Sequence, residues 1–528
     1  MELKADLLVV GTGLAGLAAA YEAAAAGARV VVATMGARGD GASALAQGGI
    51  AVPVDAGDVA LHIRDTLVAG RGVCDPAAVR SIVKAAPAAR DWLRARGARF
   101  DRGFAREGGH SRARILHHDG DRTGAHLVAC VAGALMALPR PPTVLERHRA
   151  VSLCLSGGRV TGALLRHGRR TFRADAGAVI LATGGLGRLY AHTTNPPGAC
   201  GAGVALGLLA GAVVRDMEFV QFHPTVLADG GLVSEALRGA GARLVNGKGE
   251  YFMERYAPGA DLAPRDVVSR AVRRESILRG PVCLDLRGVV ALPERFPGLA
   301  ARLAALGYRP GDDPVPVTPA AHYAVGGLKT DAEGRTTVPG LYAAGEVAST
   351  GMHGANRLAS NSMLEAVVMG RRAARAGLRE TGHGHTPGQA LPVYGLAAQY
   401  VEGLPREMGL QAGISRETDD LRALGRRLES AWNAAGRGRG ETAVAHRVLS
   451  ALMVVRGALE RDESCGVHWR GEGVPVDAPP YHVEQWLDGC GADDPAALRP
   501  GSAKRPVAKA RSARGARGRG RESRDLVS

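Results

Sequence analysis

At 528 residues and 46% hydrophobic content, the chain has room for two or three domains with buried cores, which excludes a disordered protein. Seven scattered cysteines (Cys74, Cys130, Cys154, Cys200, Cys283, Cys465, Cys490) with no C-x-x-C pair argue against a disulfide framework or a zinc site and suit a reducing, cytoplasmic setting. The formal net charge of +16 would suit a polyanion, but much of it lies between Lys504 and Arg524, in a stretch without aromatics or an apolar face; this reads as part of a disordered basic tail over 493–528, with no specific nucleic-acid partner.

The chain opens on a short apolar strand, Leu7 to Val10, which runs into Gly11-Thr12-Gly13-Leu14-Ala15-Gly16 and an Ala-rich helix. In this strand–turn–helix context the glycines have separate jobs: Gly11 turns the chain, Gly13 lets backbone approach a pyrophosphate, and Gly16 lets helix and strand pack closely. The pyrophosphate then rests on free N–H groups at the helix N-terminus. The second strand, Arg29 to Thr34, ends without the acid that usually takes a ribose hydroxyl, so Thr34 is the candidate there and the choice between NAD and FAD stays open. No signal sequence precedes the first strand, and no window reads as apolar for long enough to span a bilayer, so no membrane is expected.

Next comes Gly41-Ala42-Ser43-Ala44-Leu45-Ala46-Gln47-Gly48-Gly49, a small-residue loop suited to lie against a flat ring, or else a plain turn. Residues 58–100 carry helical spacing, and Arg106 to His117 form a polar loop with a glycine pair, which suits an active-site loop as well as a solvated one. Strands are expected near Val144, Val151–Leu155, Val160–Leu165 and Ala178–Leu181. The last runs into Ala182-Thr183-Gly184, as a parallel strand does at the ligand crevice of a doubly wound sheet. From Phe219 to Val325 the pattern changes to an inserted α+β domain, after which Leu341-Tyr342-Ala343-Ala344-Gly345-Glu346 returns to the nucleotide fold. Beyond 380 the pattern reads as helical only, with Val444, Val448, Leu452, Val455 and Leu459 forming one apolar stripe.

The stretches G-T-G-L-A-G, A-Q-G-G, A-T-G-G, Q-F-H-P, E-A-L-R-G, A-P-R-D, A-A-H-Y, L-Y-A-A-G-E and H-G-A-N-R, in this order over residues 5–465, resemble the flavoproteins of the succinate dehydrogenase and fumarate reductase family, and within it the L-aspartate oxidase branch. The resemblance implies an α/β fold: a Rossmann-like FAD-binding domain (1–216 and 326–379), an inserted α+β capping domain (217–325), and a C-terminal helical domain (380–492). It implies FAD, with Gly11 to Gly16 and Thr34 on the dinucleotide side, Ala42 to Gly49 on the isoalloxazine, Ala182, Thr183 and Gly184 beside it, Glu346 on the ribityl or ribose side, and Ser362 and Met363 at the pyrimidine end. Arg265 takes the proton-transfer position, with Asp266 as its candidate helper. His223, Ser234, His322 and Arg357 take the dicarboxylate, as the chemistry of two negative charges requires.

Three features select the oxidase branch. Ala42 stands where covalent flavoproteins carry a linking His, so the flavin is expected to be non-covalent. Asn356 to Glu365 has the oxidase form, and Glu107 places an acid where the plain dicarboxylate enzymes have none. The implied reaction is oxidation of L-aspartate to iminoaspartate, with oxygen or fumarate as acceptor, feeding quinolinate synthase in NAD biosynthesis; a soluble fumarate reductase or succinate dehydrogenase flavoprotein is the alternative. Departures from the family pattern are Met35 for a Lys, Ala202 for an Asp, Ser234 for a Thr and Cys465 for an Arg, from which weaker FAD retention is expected.

Overall fold

A computed structural model describes residues 2–309, 312–381, 387–437, 440–471, 479–492 and 494–507. Its centre is a parallel sheet in the order Thr143–Leu145, Val30–Ala33, Glu2–Val10, Arg170–Leu181, Leu341–Ala343. The middle strand is buried on both faces, which is why Leu7-Leu8-Val9-Val10 reads as a continuous apolar run. On the edge where its last residues meet Leu341–Ala343, the first half of Arg170–Leu181 pairs antiparallel with Arg159–His167, which pairs in turn with Arg149–Ser156. Helices Leu14–Ala25 and Asn361–Glu380 pack against each other and both rest on this sheet, Gly377 of the second lying against Leu7 and Ala178. Small residues permit the approach: a Cβ on Gly370 would stand 2.3 Å from the Ala15 carbonyl oxygen.

The chain from Val220 to Ala324 begins and ends in one antiparallel pair, Val220–Val226 with Thr318–Ala324, and between them builds its own apolar core around Leu237, Leu244, Phe252 and Val268. Helix Arg265–Arg279 packs back on Val220–Val226 and so brings the middle of this segment over the first sheet's crevice.

Four readings of the C-terminal part are corrected. The region beyond 380 is not purely helical: Tyr481–Asp488 pairs with Val214–Arg215 and with Arg499–Pro506, completing a five-stranded sheet. Residues 494–507, assigned to a disordered tail, therefore include an ordered edge strand, while 508–528 lie outside the described residues. Helix Thr442–Glu460 is also long and apolar enough to cross a membrane, contrary to the sequence reading, but 78% of its apolar window is buried inside the fold. It is a core helix covered on all sides, not one with a single stripe.

Candidate active site

The glycine turn has the strain its sequence demands. Gly11 has φ +115°, and a Cβ there would stand 2.2 Å from the Ala182 carbonyl oxygen; a Cβ on Gly16 would stand 2.0 Å from that of Gly11. Gly13 brings no capping side chain, so beyond the Leu14 amide the first turn of helix Leu14–Ala25 turns its amides and positive dipole toward the crevice. Ser43 accepts from the Leu14 amide at 3.1 Å and ties the 41–49 loop to this turn. Thr12 donates to Thr34 Oγ1 at 3.0 Å and accepts from the Gly39 amide, so Thr34 braces the turn with a buried hydroxyl rather than reaching into the crevice. Leu45 is 57% exposed, and the buried Gln47 Oε1 and Thr183 Oγ1 lack partners among the described residues. Glu346 lies beside Gly185, accepts from the Ala324 amide, and is pushed up to about 7 by desolvation, with Glu365 nearby. An open helix N-terminus, unmatched polar atoms and an uncovered apolar loop residue suit a dinucleotide with a flat ring system.

Against this crevice, residues from seven separate stretches of sequence line one pocket of about 430 Å³: Gln47 and Gly48, Glu107, His223, Ser234 and Glu235, Arg265, His322, and Arg357 with Ser362 and Met363. Arg357 donates from Nη2 to Ser362 Oγ at 2.8 Å and lies over the Tyr323 ring. Its Nε and Nη1 are buried without partners among the described residues, and burial together with the neighbouring Arg265 lowers it to about 10. Two aimed N–H donors on one guanidinium fit a carboxylate. His223 and His322 meet edge to face, 5.3 Å apart. Burial and the charge of Arg265 push both well below the usual histidine range, so each is neutral. His322 Nδ1 is held by Thr194 Oγ1 at 2.9 Å, whereas His223 Nε2 is buried and has no partner among the described residues. Ser234 caps helix Glu235–Gly239 by accepting from the Ala236 amide, which leaves its O–H to donate.

Arg265, in the first turn of its helix, donates from Nε to Glu235 at 2.7 Å and from Nη1 to Gln221 at 3.3 Å. Glu235 also faces Arg238 at 3.5 Å and is held below the usual carboxylate range: burial opposes this, but the two arginines prevail. The partner of Arg265 is thus Glu235 and not Asp266, which pairs with Arg71 and Arg270 and accepts from Asn356. Glu235 belongs to the E-A-L-R-G stretch, but nothing in the sequence ties it to a residue thirty positions on.

Glu107 lines the pocket beside Gly48. It accepts from Ser360 Oγ at 2.6 Å and meets His117 Nε2 at 3.3 Å. Burial alone would raise it, but the hydrogen bond and charge of His117, the Ser360 hydrogen bond and the charge of Arg265 hold it at about 2, so it is ionised. Its loop is anchored below by Arg114, which has no exposed surface and bonds Asp58 at 2.8 Å and Asp65 at 2.6 Å, with His110 Nδ1 at 2.8 Å. Next to Glu107 the chain runs so close to Glu235 that a Cβ on Gly108 would stand 2.0 Å from its carboxylate. Of the departures, Met35 is 37% exposed at the rim, Ala202 begins helix Ala202–Leu209, and Cys465 packs beside Val73 and Phe219 with its thiol 3.8 Å from the Arg71 carbonyl.

Residues 6–363 match the FAD binding domain family. The L-aspartate oxidase of Caulobacter vibrioides is 42% identical over 498 residues, covering 91% of this chain and 96% of that protein. The chain belongs to the L-aspartate oxidase family. The family member from Streptomyces coelicolor is 41% identical, with 90% of each chain covered, and that from Mycobacterium leprae is 43% identical, covering 90% of this chain and 94% of its own. Among solved structures, a variant of E. coli quinol fumarate reductase FrdA superposes with a TM-score of 0.86 at 27% identity, covering 96% of this chain and 99% of its own. Mycobacterium smegmatis Sdh1 reaches 0.82 at 27%, covering 96% and 95%. The Rossmann-like fold with a capping segment is thus shared across the wider flavoprotein group.

Proposed function

We propose that this protein oxidises L-aspartate to iminoaspartate with non-covalent FAD, in the cytoplasm, as the first step of de novo NAD biosynthesis. The observation that carries this reading is one pocket in which cations and neutral donors for two carboxylates face an ionised acid, Glu107, while the second acid of the lining, Glu235, is engaged by Arg265 and Arg238. Arg357 grips one carboxylate with its free Nε and Nη1, and His223, His322 and Ser234 donate to the other. Glu107 reads the ammonium and so turns Cα toward the crevice bounded by Gln47 and Gly48. Arg265 carries the proton; Glu235 fixes its Nε and Gln221 its Nη1, leaving the rest of the guanidinium toward the pocket. A guanidinium is a poor base in water, so this role depends on the buried carboxylate beside it. FAD, held by the Gly11–Gly16 turn, the 42–49 loop, Ala182 to Gly184, Glu346, Ser362 and Met363, would supply the two-electron acceptor for oxidation at Cα.

Oxygen or fumarate then accepts the electrons, and quinolinate synthase consumes the unstable imine. The alternative, a soluble fumarate reductase or succinate dehydrogenase flavoprotein, shares the fold and the cation set but has no use for an ionised acid facing the substrate. Hydrogen peroxide release from L-aspartate, D-aspartate and succinate tests the choice: release from L-aspartate alone is expected, and release from succinate with none from L-aspartate would overturn the reading.

A further inference from the structure

Glu107 has a second neighbour that the reaction above does not use. His117, ten residues along the same loop and just past strand Ile115–Leu116, points Nε2 at Glu107 Oε1 at 3.3 Å. The two differ in access: the Glu107 side chain is 3% exposed, whereas His117 keeps 12% of its side chain open to solvent. The other histidines of the pocket wall are enclosed. His110 is fixed between Arg114 and the Ala359 carbonyl, and burial pushes His110, His223 and His322 below the usual histidine range.

We propose that His117 is a specificity-determining residue: by gaining a proton it becomes a counter-ion to Glu107 and competes with the substrate's ammonium, so selection of an amino dicarboxylate over a plain one weakens as the medium is acidified. This rests on the reading of Glu107 as the ammonium contact. One carboxylate then serves two cations on neighbouring sides. With neutral His117, the ammonium is its natural partner. With imidazolium at His117, the ammonium meets both a partly neutralised acid and a like charge. A dicarboxylate without an amine meets the reverse, since one more positive charge near the pocket favours a dianion. Linkage makes the effect reciprocal: ammonium binding expels a proton from His117, and protonation of His117 expels the ammonium ligand. Histidine is the side chain suited to this, because its charge changes between pH 5 and 8.

The charged groups around the pair do not duplicate the response. Glu107 stays ionised throughout that range. Ser360, from the start of helix Asn361–Glu380, contributes a hydroxyl; Arg265, from helix Arg265–Arg279, and Arg357 act on Glu107 as cations, Glu235 faces it as a second carboxylate paired to Arg265, and His110 is pushed below the usual histidine range by burial. Asp101, whose amide donates to the His117 carbonyl, directs its carboxylate to the Asp119 and Gly120 amides.

The test uses FAD-loaded protein and two ligands that are bound by the same carboxylate contacts: 2-methyl-L-aspartate, which has the ammonium but no hydrogen on Cα to lose, and succinate. Their dissociation constants are measured by calorimetry between pH 8.5 and 5.5, and the ratio cancels titration of groups that act on the carboxylates alone. In the parent protein the preference for 2-methyl-L-aspartate should fall about tenfold over this range, the size expected when a like charge arrives within a few ångströms. His117→Gln, which keeps a donor but cannot titrate, should retain the preference at every pH; His117→Asn serves the same end if the first variant loses FAD. A preference independent of pH in the parent protein, or an unchanged slope in either variant, would overturn the proposal. Should 2-methyl-L-aspartate bind no better than succinate even at pH 8.5, the ammonium reading of Glu107 itself fails, and the proposal with it.

Discussion

Replacing Glu235 by Gln changes one charge and almost no volume at the point where the proton-transfer reading is most exposed. The carboxylate lies 2.7 Å from Arg265 Nε and 3.5 Å from Arg238, all three side chains being buried. Breaking a buried ion pair at one partner costs about 3–5 kcal/mol, of which the amide's remaining hydrogen bond recovers about 1, so a stability loss of roughly 2–4 kcal/mol is expected. The charge left behind acts on the ligand in the opposite direction. At a distance of about 7 Å and an effective dielectric near 20, one uncompensated positive charge favours the nearer carboxylate of a bound dianion by about 2 kcal/mol, or roughly thirtyfold. Turnover, by contrast, should fall by about 10²- to 10⁴-fold, the range for losing a positioned proton-transfer group. The signature is therefore a split: tighter succinate binding by calorimetry and slower anaerobic bleaching of the flavin by L-aspartate in stopped flow. Unchanged bleaching, or weaker succinate binding with FAD fully retained, would refute the argument that Glu235 balances and positions Arg265.

Arg265→Leu should lower L-aspartate turnover by about 10³-fold or more with FAD retained, and near-normal turnover would exclude the role. Glu107→Gln should cost L-aspartate oxidation roughly 10- to 150-fold, the worth of a charged hydrogen bond, while fumarate reduction by dithionite-reduced protein is unchanged; a parallel fall in both would make Glu107 a support of its loop. Acid precipitation should release all the yellow colour, because Ala42 offers no side chain for a covalent link; colour on the pellet would contradict this. Asp65→Asn should destabilise the fold by about 3 kcal/mol at pH 7 through the buried Arg114 pair. Burial raises Asp65, but the Ser111 and Arg114 hydrogen bonds outweigh it and hold it below the ordinary carboxylate value, so its stabilisation is complete above about pH 4 and fades as pH falls further. Urea unfolding at pH 7 and 3.5 should show the gap between parent and variant narrowing in acid.

What the sequence made legible was local or carried by motif. The glycine turn announces itself because strand, turn and helix are contiguous, and the apolar runs at Leu7–Val10 and Ala178–Leu181 are the strands that the sheet buries on both faces. Asp266 was misread for a geometric reason: consecutive positions in a helix point away from each other, so the residue beside Arg265 in sequence is not beside it in space. Glu235 reaches Arg265 through tertiary packing, as Arg114 reaches Asp58 and Asp65 across about fifty residues, a separation that leaves no periodic trace. The edge strand Arg499–Pro506 has two prolines and a glycine and little intrinsic preference for extension; it is ordered by the ladder offered by Tyr481–Asp488. Helix Thr442–Glu460 passes for a membrane span because a helix enclosed on every side has no polar face to show.

The packing of helix Leu14–Ala25 against helix Asn361–Glu380 also dictates when the protein can mature. During synthesis the glycine turn leaves the ribosome early, but one wall of its crevice, Ser362 and Met363, follows about 350 residues later, roughly 20–70 s at ordinary elongation rates. The strand it sits on waits as well, since Glu2–Val10 needs Arg170–Leu181 as its neighbour. Pairings of such long range are slow to close and leave apolar strands uncovered meanwhile. The nascent chain should accordingly depend on chaperones until Asn361–Glu380 emerges, and cofactor supplied before that point should neither be captured nor hasten folding.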